Sequence, residues 1–123
     1  SYGCWIKAPN GNHSSCVFGK MDEGNNYRGY DLWLQGGFPG AHIINKWQEN
    51  AVKVVGTKKI TGKQWQHIFT TYNGSGSAAG TKNFLNGDPQ QKKVEADGLN
   101  ASIVTKKPLR LGRRFNSSFA KSY

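Results

Sequence analysis

Apolar and polar residues alternate in short runs along this chain, and turn-forming residues end each run before a helical period can establish itself. Tyr2, Cys4 and Ile6 alternate with Gly3, Trp5 and Lys7 until Pro9-Asn10-Gly11-Asn12 supplies residues that break strand pairing or accept positive φ. A period of two places the two sets on opposite faces of a strand. Cys16 to Lys20 is a second short run, and the polar, Gly-containing segment from Asp22 to Asn26 separates it from the next. In Tyr30 to Gln35, the residues Tyr30, Leu32 and Leu34 face one way while Asp31, Trp33 and Gln35 face the other. Gly36-Gly37 and Pro39-Gly40 close that strand. Ala41 to Trp47 then sets Ala41, Ile43, Asn45 and Trp47 opposite His42, Ile44 and Lys46, so neither face is cleanly apolar.

Val52 to Val55 and Trp65 to Tyr72 are the next extended segments, the second rich in the aromatic and β-branched residues that strands favour. The small, polar residues 73–80 suit a flexible surface loop that adds nothing to a core. Thr81 to Leu85, Asn86-Gly87 and Gln90 to Glu95 read as a hairpin, because Asn-Gly supplies the two positive φ values of a tight turn. Leu109 to Leu111 is a last short strand. No window sustains a 3.6-residue apolar period, so the pattern predicts an all-β chain of two antiparallel sheets. Trp5 and Trp65 are expected to pack in the interior, and Trp65, Phe69, Leu85 and Leu111 to share its core.

Composition agrees with a single small folded domain spanning residues 1–123. Hydrophobic residues make up 36% of the chain, enough to build a core and to exclude a wholly disordered polycation. No apolar stretch approaches the roughly 20 residues that span a bilayer. The N-terminal Ser1-Tyr2-Gly3-Cys4-Trp5 carries no initiator Met and no signal peptide, which leads us to expect that an upstream segment has been removed. Cys4 and Cys16 do not form a zinc-ligand pattern with His13, and they read as two thiols at the ends of neighbouring strands, with a disulfide as the alternative.

Charge changes the picture further. The 17 Lys and Arg exceed the 7 Asp and Glu, for a formal net charge of +10. In residues 1–45, Lys7, Lys20 and Arg28 balance Asp22, Glu23 and Asp31, so the whole excess lies in the remainder. Residues 98–123 hold Lys106, Lys107, Arg110, Arg113, Arg114 and Lys121 with no acid, which reads either as one basic edge or as a solvated surface.

Three segments then carry a resemblance. Gln64-Trp65-Gln66-His67-Ile68-Phe69-Thr70-Thr71-Tyr72-Asn73-Gly74, Gly80-Thr81-Lys82-Asn83-Phe84-Leu85-Asn86-Gly87 and Pro108-Leu109-Arg110-Leu111-Gly112-Arg113-Arg114 resemble, in order and spacing, the signature of laminin-G-like domains of the concanavalin-A-like lectin and glucanase superfamily. Upstream, Lys20-Met21-Asp22, Tyr27 to Leu32 and His42-Ile43-Ile44 leading to Trp47 are similar to the version found in large bacterial secreted proteins that also carry cytochrome-c-like modules. The resemblance implies a jelly-roll β-sandwich, an extracellular or periplasmic location, and a fragment lacking the first and last strands of the full module. It also implies that Asp22, with carbonyls of its loop, helps hold calcium. Asn73 and Phe84 depart from the family's acidic residue and tyrosine.

Catalysis is disfavoured: glycoside hydrolysis needs two carboxylates flanking one bond, and the glucanases' Glu-x-Asp-x-x-Glu is absent. No Gly-x-Ser-x-Gly elbow stands before a helix either. Nucleic acid is disfavoured as a partner, because neither a helix-turn-helix pattern nor the aromatic repeats of an RNA-recognition sheet occur. A non-catalytic module that binds polysaccharide remains. Sugars stack their apolar faces on Trp or Tyr while Asn, Asp, His and Arg bond their hydroxyls. Trp47, flanked by Asn45, Lys46, Gln48, Glu49 and Asn50, is the leading ligand-facing aromatic, with Trp33 next. His42, Arg28 and Asp31 are candidate polar contacts, although Arg28 and Asp31 also suit a salt bridge fixing the turn between them. Arg113 and Arg114 would add attraction for an acidic or sulfated glycan. The alternative is a structural or adhesion module that packs against another domain of its parent or against another protein.

Overall fold

The computed structural model describes residues 1–114. Its strands are β1 (Tyr2–Ile6), β2 (Ser15–Asp22), β3 (Arg28–Gln35), β4 (Phe38–Lys46), β5 (Asn50–Gly56), β6 (Gln66–Tyr72), β7 (Thr81–Leu85), β8 (Asp88–Gln90), β9 (Lys92–Ala96) and β10 (Arg110–Leu111). They form a four-stranded sheet, β1-β6-β7-β8, and a six-stranded sheet, β10-β2-β3-β4-β5-β9, in which every pairing is antiparallel. Apart from one 3-10 turn at Ala78–Gly80, no helix occurs among the described residues, and none is long and apolar enough to cross a membrane. The architecture is a jelly-roll sandwich.

Alternation decides which residues fill it. Ile6, Val17, Leu32, Leu34, Ile68 and Leu85 meet between the sheets, and Ala41, Ile43, Val52 and Val54 continue that layer. Beside them an apolar cleft of about 850 Å³ opens between the sheets, bordered by Tyr2, Phe18, Tyr30, Ile43, Leu99 and Ile103. Two turns fix register. Gly36 and Gly37 both have positive φ, 57° and 88°, and join Gln35 to its partner Phe38. Asn86 and Gly87, at 55° and 86°, join Leu85 to Asp88 in the same way, as their sequence predicts.

Four expectations are corrected. Trp5 and Trp65 are 63% and 64% exposed, and Leu111 is 72% exposed. Trp5 pairs with His67 on the parity opposite to Ile6 and Ile68, so it points away from the core; Phe69 shares that outward face, and of the expected core set only Leu85 is buried. The segment 73–80 is not purely superficial, since the 3-10 turn drops Ala78 fully into the core. The strand expected from Gln90 to Glu95 is two strands: β8 finishes the hairpin with β7, and the chain crosses at Gln91 to pair β9 with β5 in the other sheet. Cys4 and Cys16 are thiols as expected, but they sit on opposite sheets rather than on neighbouring strands.

The parity assignment has a direct test in urea unfolding. Ile68→Ala, which empties a fully buried position, is expected to cost about 2–5 kcal/mol. Trp65→Ala is expected to stay within about 0.5 kcal/mol of wild type.

Candidate functional site

The outer face of the six-stranded sheet carries the residues that alternation turns away from the core. Asp31, Trp33 and Gln35 on β3 and His42 and Ile44 on β4 share this face, and register aligns Gly19, Asp31, His42 and Lys53 as cross-strand neighbours over four strands. Two loops rise beside them. The segment between β2 and β3 contributes Tyr27, whose φ is 59°, and the β4–β5 connection contributes Trp47, whose backbone N–H bonds the Asn26 carbonyl at 3.1 Å. Together with Ser14 and Arg114 these residues enclose a cavity of about 430 Å³.

Asp31 lies at its base with no solvent exposure. One carboxylate oxygen meets His42 Nδ1 at 2.6 Å and the other accepts from Arg114 Nε at 2.7 Å. Burial alone would raise the carboxyl's pKa, but His42 and Arg114 outweigh it and hold the group below the ordinary aspartate range. Gly19 is required beside it, because a Cβ there would come within 2.9 Å of the Asp31 Cβ. The neighbouring Cys16 thiol is pushed up, first by burial and then by the Asp31 charge, and stays protonated.

Above this base the aromatics form walls. His42 meets Trp33 and Trp47 edge-on, with ring centroids 6.2 and 5.8 Å away. The Arg114 guanidinium lies over Trp33 at 4.4 Å and over Tyr27 at 5.6 Å, and Lys53 Nζ lies 5.6 Å from the Trp47 ring. Lys53 also pairs with Glu95 at 2.6 Å, and Gln35 donates to the same carboxylate at 2.9 Å. The Lys53 hydrogen bond is the leading reason that the Glu95 pKa is lowered. The cations of the cavity thus each have a carboxylate partner.

Of the residues singled out in the sequence, Trp47, His42, Trp33 and Arg114 line the cavity, and Asp31 lies buried behind it in contact with His42 and Arg114. Arg28, Asn45 and Arg113 do not line the cavity: Arg28 Nε donates to the Asn45 carbonyl, Asn45 Nδ2 to the Ser102 carbonyl, and Arg113 Nε to the Arg114 carbonyl. The salt bridge considered between Arg28 and Asp31 is replaced by the Arg114 and His42 contacts, because Arg28 and Asp31 differ in parity on β3. Asp22 faces Lys107 Nζ at 4.0 Å, where calcium would need further oxygens, and no group of three His, Cys, Asp or Glu stands together among the described residues. That environment does not fit a calcium site. Tyr27, Gln35 and Lys53 were not singled out; Gln35 was readable from its alternation with Asp31 and Trp33, whereas Tyr27 depends on a loop path that no local pattern encodes.

With this geometry in place, the comparison with known families is decisive for the fold. A family model described as the concanavalin A-like lectin/glucanases superfamily, of laminin G type, matches residues 1–122. The chain belongs to that superfamily. Laminin-G-like modules are in general non-catalytic binding domains, so the family supports a carbohydrate-binding or structural role for this laminin-G-like module. A search of curated proteins finds no match.

The buried charge has a pH signature. A carboxyl whose folded pKa lies below its unfolded value stabilises fully above the ordinary range, near 3.8, and loses that contribution as pH falls through the lower folded value. Urea unfolding over an acid pH series is expected to show this loss in wild type. Asp31→Asn is expected to cost about 3–5 kcal/mol at neutral pH and to flatten the acid limb.

Proposed function

We propose that this module binds carbohydrate, without catalysis, in the cavity on the outer face of its six-stranded sheet. The observation that carries the reading is the pair of indoles, Trp33 and Trp47, set around His42 over a floor of polar side chains. Indole faces stack on the C–H faces of a sugar ring, and Gln35, His42, Lys53 and Arg114 supply hydroxyl partners. A cavity of about 430 Å³ falls within the usual range for small-ligand sites. Both oxygens of Asp31 are engaged and Glu95 is held by Lys53 and Gln35, which leaves no pair of open carboxylates for glycoside hydrolysis.

The overall charge of +10 favours an acidic or sulfated glycan, but the pairing inside the cavity favours a neutral one. Arg114 and Lys53 are matched by Asp31 and Glu95 at 2.7 and 2.6 Å, and Lys106, Lys107, Arg110 and Arg113 stand outside the lining. A neutral, hydroxyl-rich oligosaccharide is therefore the ligand class we assign. We place the module, spanning residues 1–123, outside the cytoplasm, as part of a larger secreted bacterial protein with cytochrome-c-like modules.

A second reading, a structural or adhesion module, draws support from the opposite sheet. There Trp5, His67, Phe69 and Phe84 form a continuous outward row with centroid spacings of 5.3, 5.9 and 6.1 Å. An exposed aromatic row of this kind suits contact with another domain.

Titration against neutral and sulfated oligosaccharides at low and high salt separates these readings. Trp47→Ala and Trp33→Ala are each expected to cost about 1.5–3 kcal/mol, roughly ten- to a hundredfold in affinity. Arg113→Ala is expected to bind as wild type, and neutral-sugar affinity to change little with salt. Wild-type protein that binds neither class, together with loss of partner binding in Trp5→Ala, would establish the contact role instead.

A further inference from the structure

Asp31 and His42 set which hydrogen-bonding group the cavity offers to a ligand. An ionised carboxylate only accepts hydrogen bonds, so the 2.6 Å contact from His42 Nδ1 to Asp31 requires a proton on Nδ1. The second carboxylate oxygen is already taken by Arg114 Nε at 2.7 Å, and an Arg114 terminal nitrogen stands 3.5 Å from Nδ1, where it can only donate and therefore offers Nδ1 no alternative acceptor. The other charged or titratable groups lining the cavity are Lys53 on β5, itself paired with Glu95 of β9, and Tyr27 from the β2–β3 loop, while the Cys16 thiol of β2 lies near Asp31 and within reach of the Glu23 charge. Among the described residues that line the cavity, Arg114 lies against Asp31 and Lys53 against Glu95, so neither cation competes with Asp31 for the Nδ1 proton.

A neutral imidazole holds one proton. With that proton on Nδ1, Nε2 is a bare acceptor. The ring is only 6% exposed, it borders the cavity, and its edge-on contacts with Trp33 and Trp47 at 75° and 74° fix its plane. Among the described residues Nε2 has no hydrogen-bond partner, and it is not one of the polar atoms sealed away from solvent.

We propose that Asp31 is a positioning residue that locks His42 as the Nδ1–H tautomer, so that Nε2 faces the cavity as an acceptor and selects ligands presenting a donor hydroxyl there. The inference rests on the carbohydrate reading for its ligand, but the tautomer itself does not. A sugar hydroxyl lying between the two indoles donates to Nε2. An ether oxygen or carboxylate at the same point meets lone pair with lone pair and is rejected, which gives the preference for neutral, unsubstituted sugars a residue-level cause.

The test is nitrogen NMR of the uniformly labelled protein, followed by titration with cellohexaose, maltohexaose, mannohexaose and their per-O-methylated forms. Without ligand, His42 is expected to show a protonated Nδ1 and an unprotonated Nε2; a proton on Nε2 instead overturns the proposal. In Asp31→Asn the side-chain amide can donate to Nδ1, so the proton is expected to move to Nε2 if the variant folds, and the wild-type spectrum decides the tautomer if it does not. On titration, at least one unmodified hexaose is expected to shift Nε2, and its methylated form to bind about ten- to a hundredfold more weakly. His42→Phe keeps a ring between the indoles and is expected to lose affinity by the same factor. Indole signals that respond to sugar while Nε2 does not, or His42→Phe binding as wild type, would leave the carbohydrate reading intact and remove this one. Silence of every signal with every hexaose would remove the carbohydrate reading and the selection with it.

Discussion

A carboxylate with no access to water stands at the centre of this structure, and several otherwise unrelated features follow from it. Burying an unpaired charge costs several kcal/mol even after the protein relaxes around it, so Asp31 can occupy its position only with both oxygens engaged. One partner, His42, comes from the adjacent strand and constrains register. A slip of one residue between β3 and β4 would turn His42 to the inner face and strand the charge. The other, Arg114, comes from 83 residues away and ties the last described residue to the outer face of the sheet. Gly19 clears the space above the carboxylate, and the Tyr2 hydroxyl donates to the Asp31 backbone carbonyl from the opposing sheet at 3.3 Å. The site and the sandwich therefore share their anchoring contacts.

Much of the fold was legible because it depends on local rules. Period-two alternation separated Leu32 and Leu34 from Asp31 and Trp33 on β3, and Asn86-Gly87 announced its turn through chemistry that acts within four residues. Alternation failed at Trp47, expected on the face of Ala41 and Ile43, because β4 ends at Lys46 after an irregularity and the connection turns Trp47 to His42. What failed had non-local causes. Whether Trp5 faces core or solvent depends on which parity the opposing sheet covers, and its own strand does not say. The division of Gln90 to Glu95 between two sheets depends on β5 offering an edge to β9. In the candidate site, Asp31, Trp33 and His42 were readable as outward residues of adjacent strands. Their assembly with Arg114 and Tyr27 was not, because loop paths and a contact spanning most of the chain create it.

Net charge and the charges that line the cavity point to different ligand classes for a related reason. An excess of +10 describes the whole chain and its long-range field, whereas a ligand seated in a cavity responds most to charges within a few ångströms. Among the described residues lining the cavity, Lys53 is paired with Glu95 and Arg114 with Asp31. These cations also lie over indole and phenol rings, which orients them as cavity walls.

None of the four tryptophans is buried between the sheets, and this divides the molecule into two chemically different faces. Facing sheets pack about 10 Å apart, a gap that interlocking Ile, Leu and Val side chains fill well. The indoles are displaced outward, where exposed apolar area must be covered or used. On the six-stranded sheet, two loops and two cations fold around Trp33 and Trp47, and the aliphatic cluster of Met21, Ile44 and Ala51 supports Trp47 from below. The result is an open cavity of about 430 Å³ lined by aromatic and polar side chains, the place we propose for a ligand. On the four-stranded sheet Trp5 stands exposed, as does Trp65 just before β6, and among the described residues no comparable loop brings a second indole beside Trp5. The β2–β3 and β4–β5 loops that bring Tyr27 and Trp47 beside Trp33, rather than aromatic content, distinguish the one face from the other.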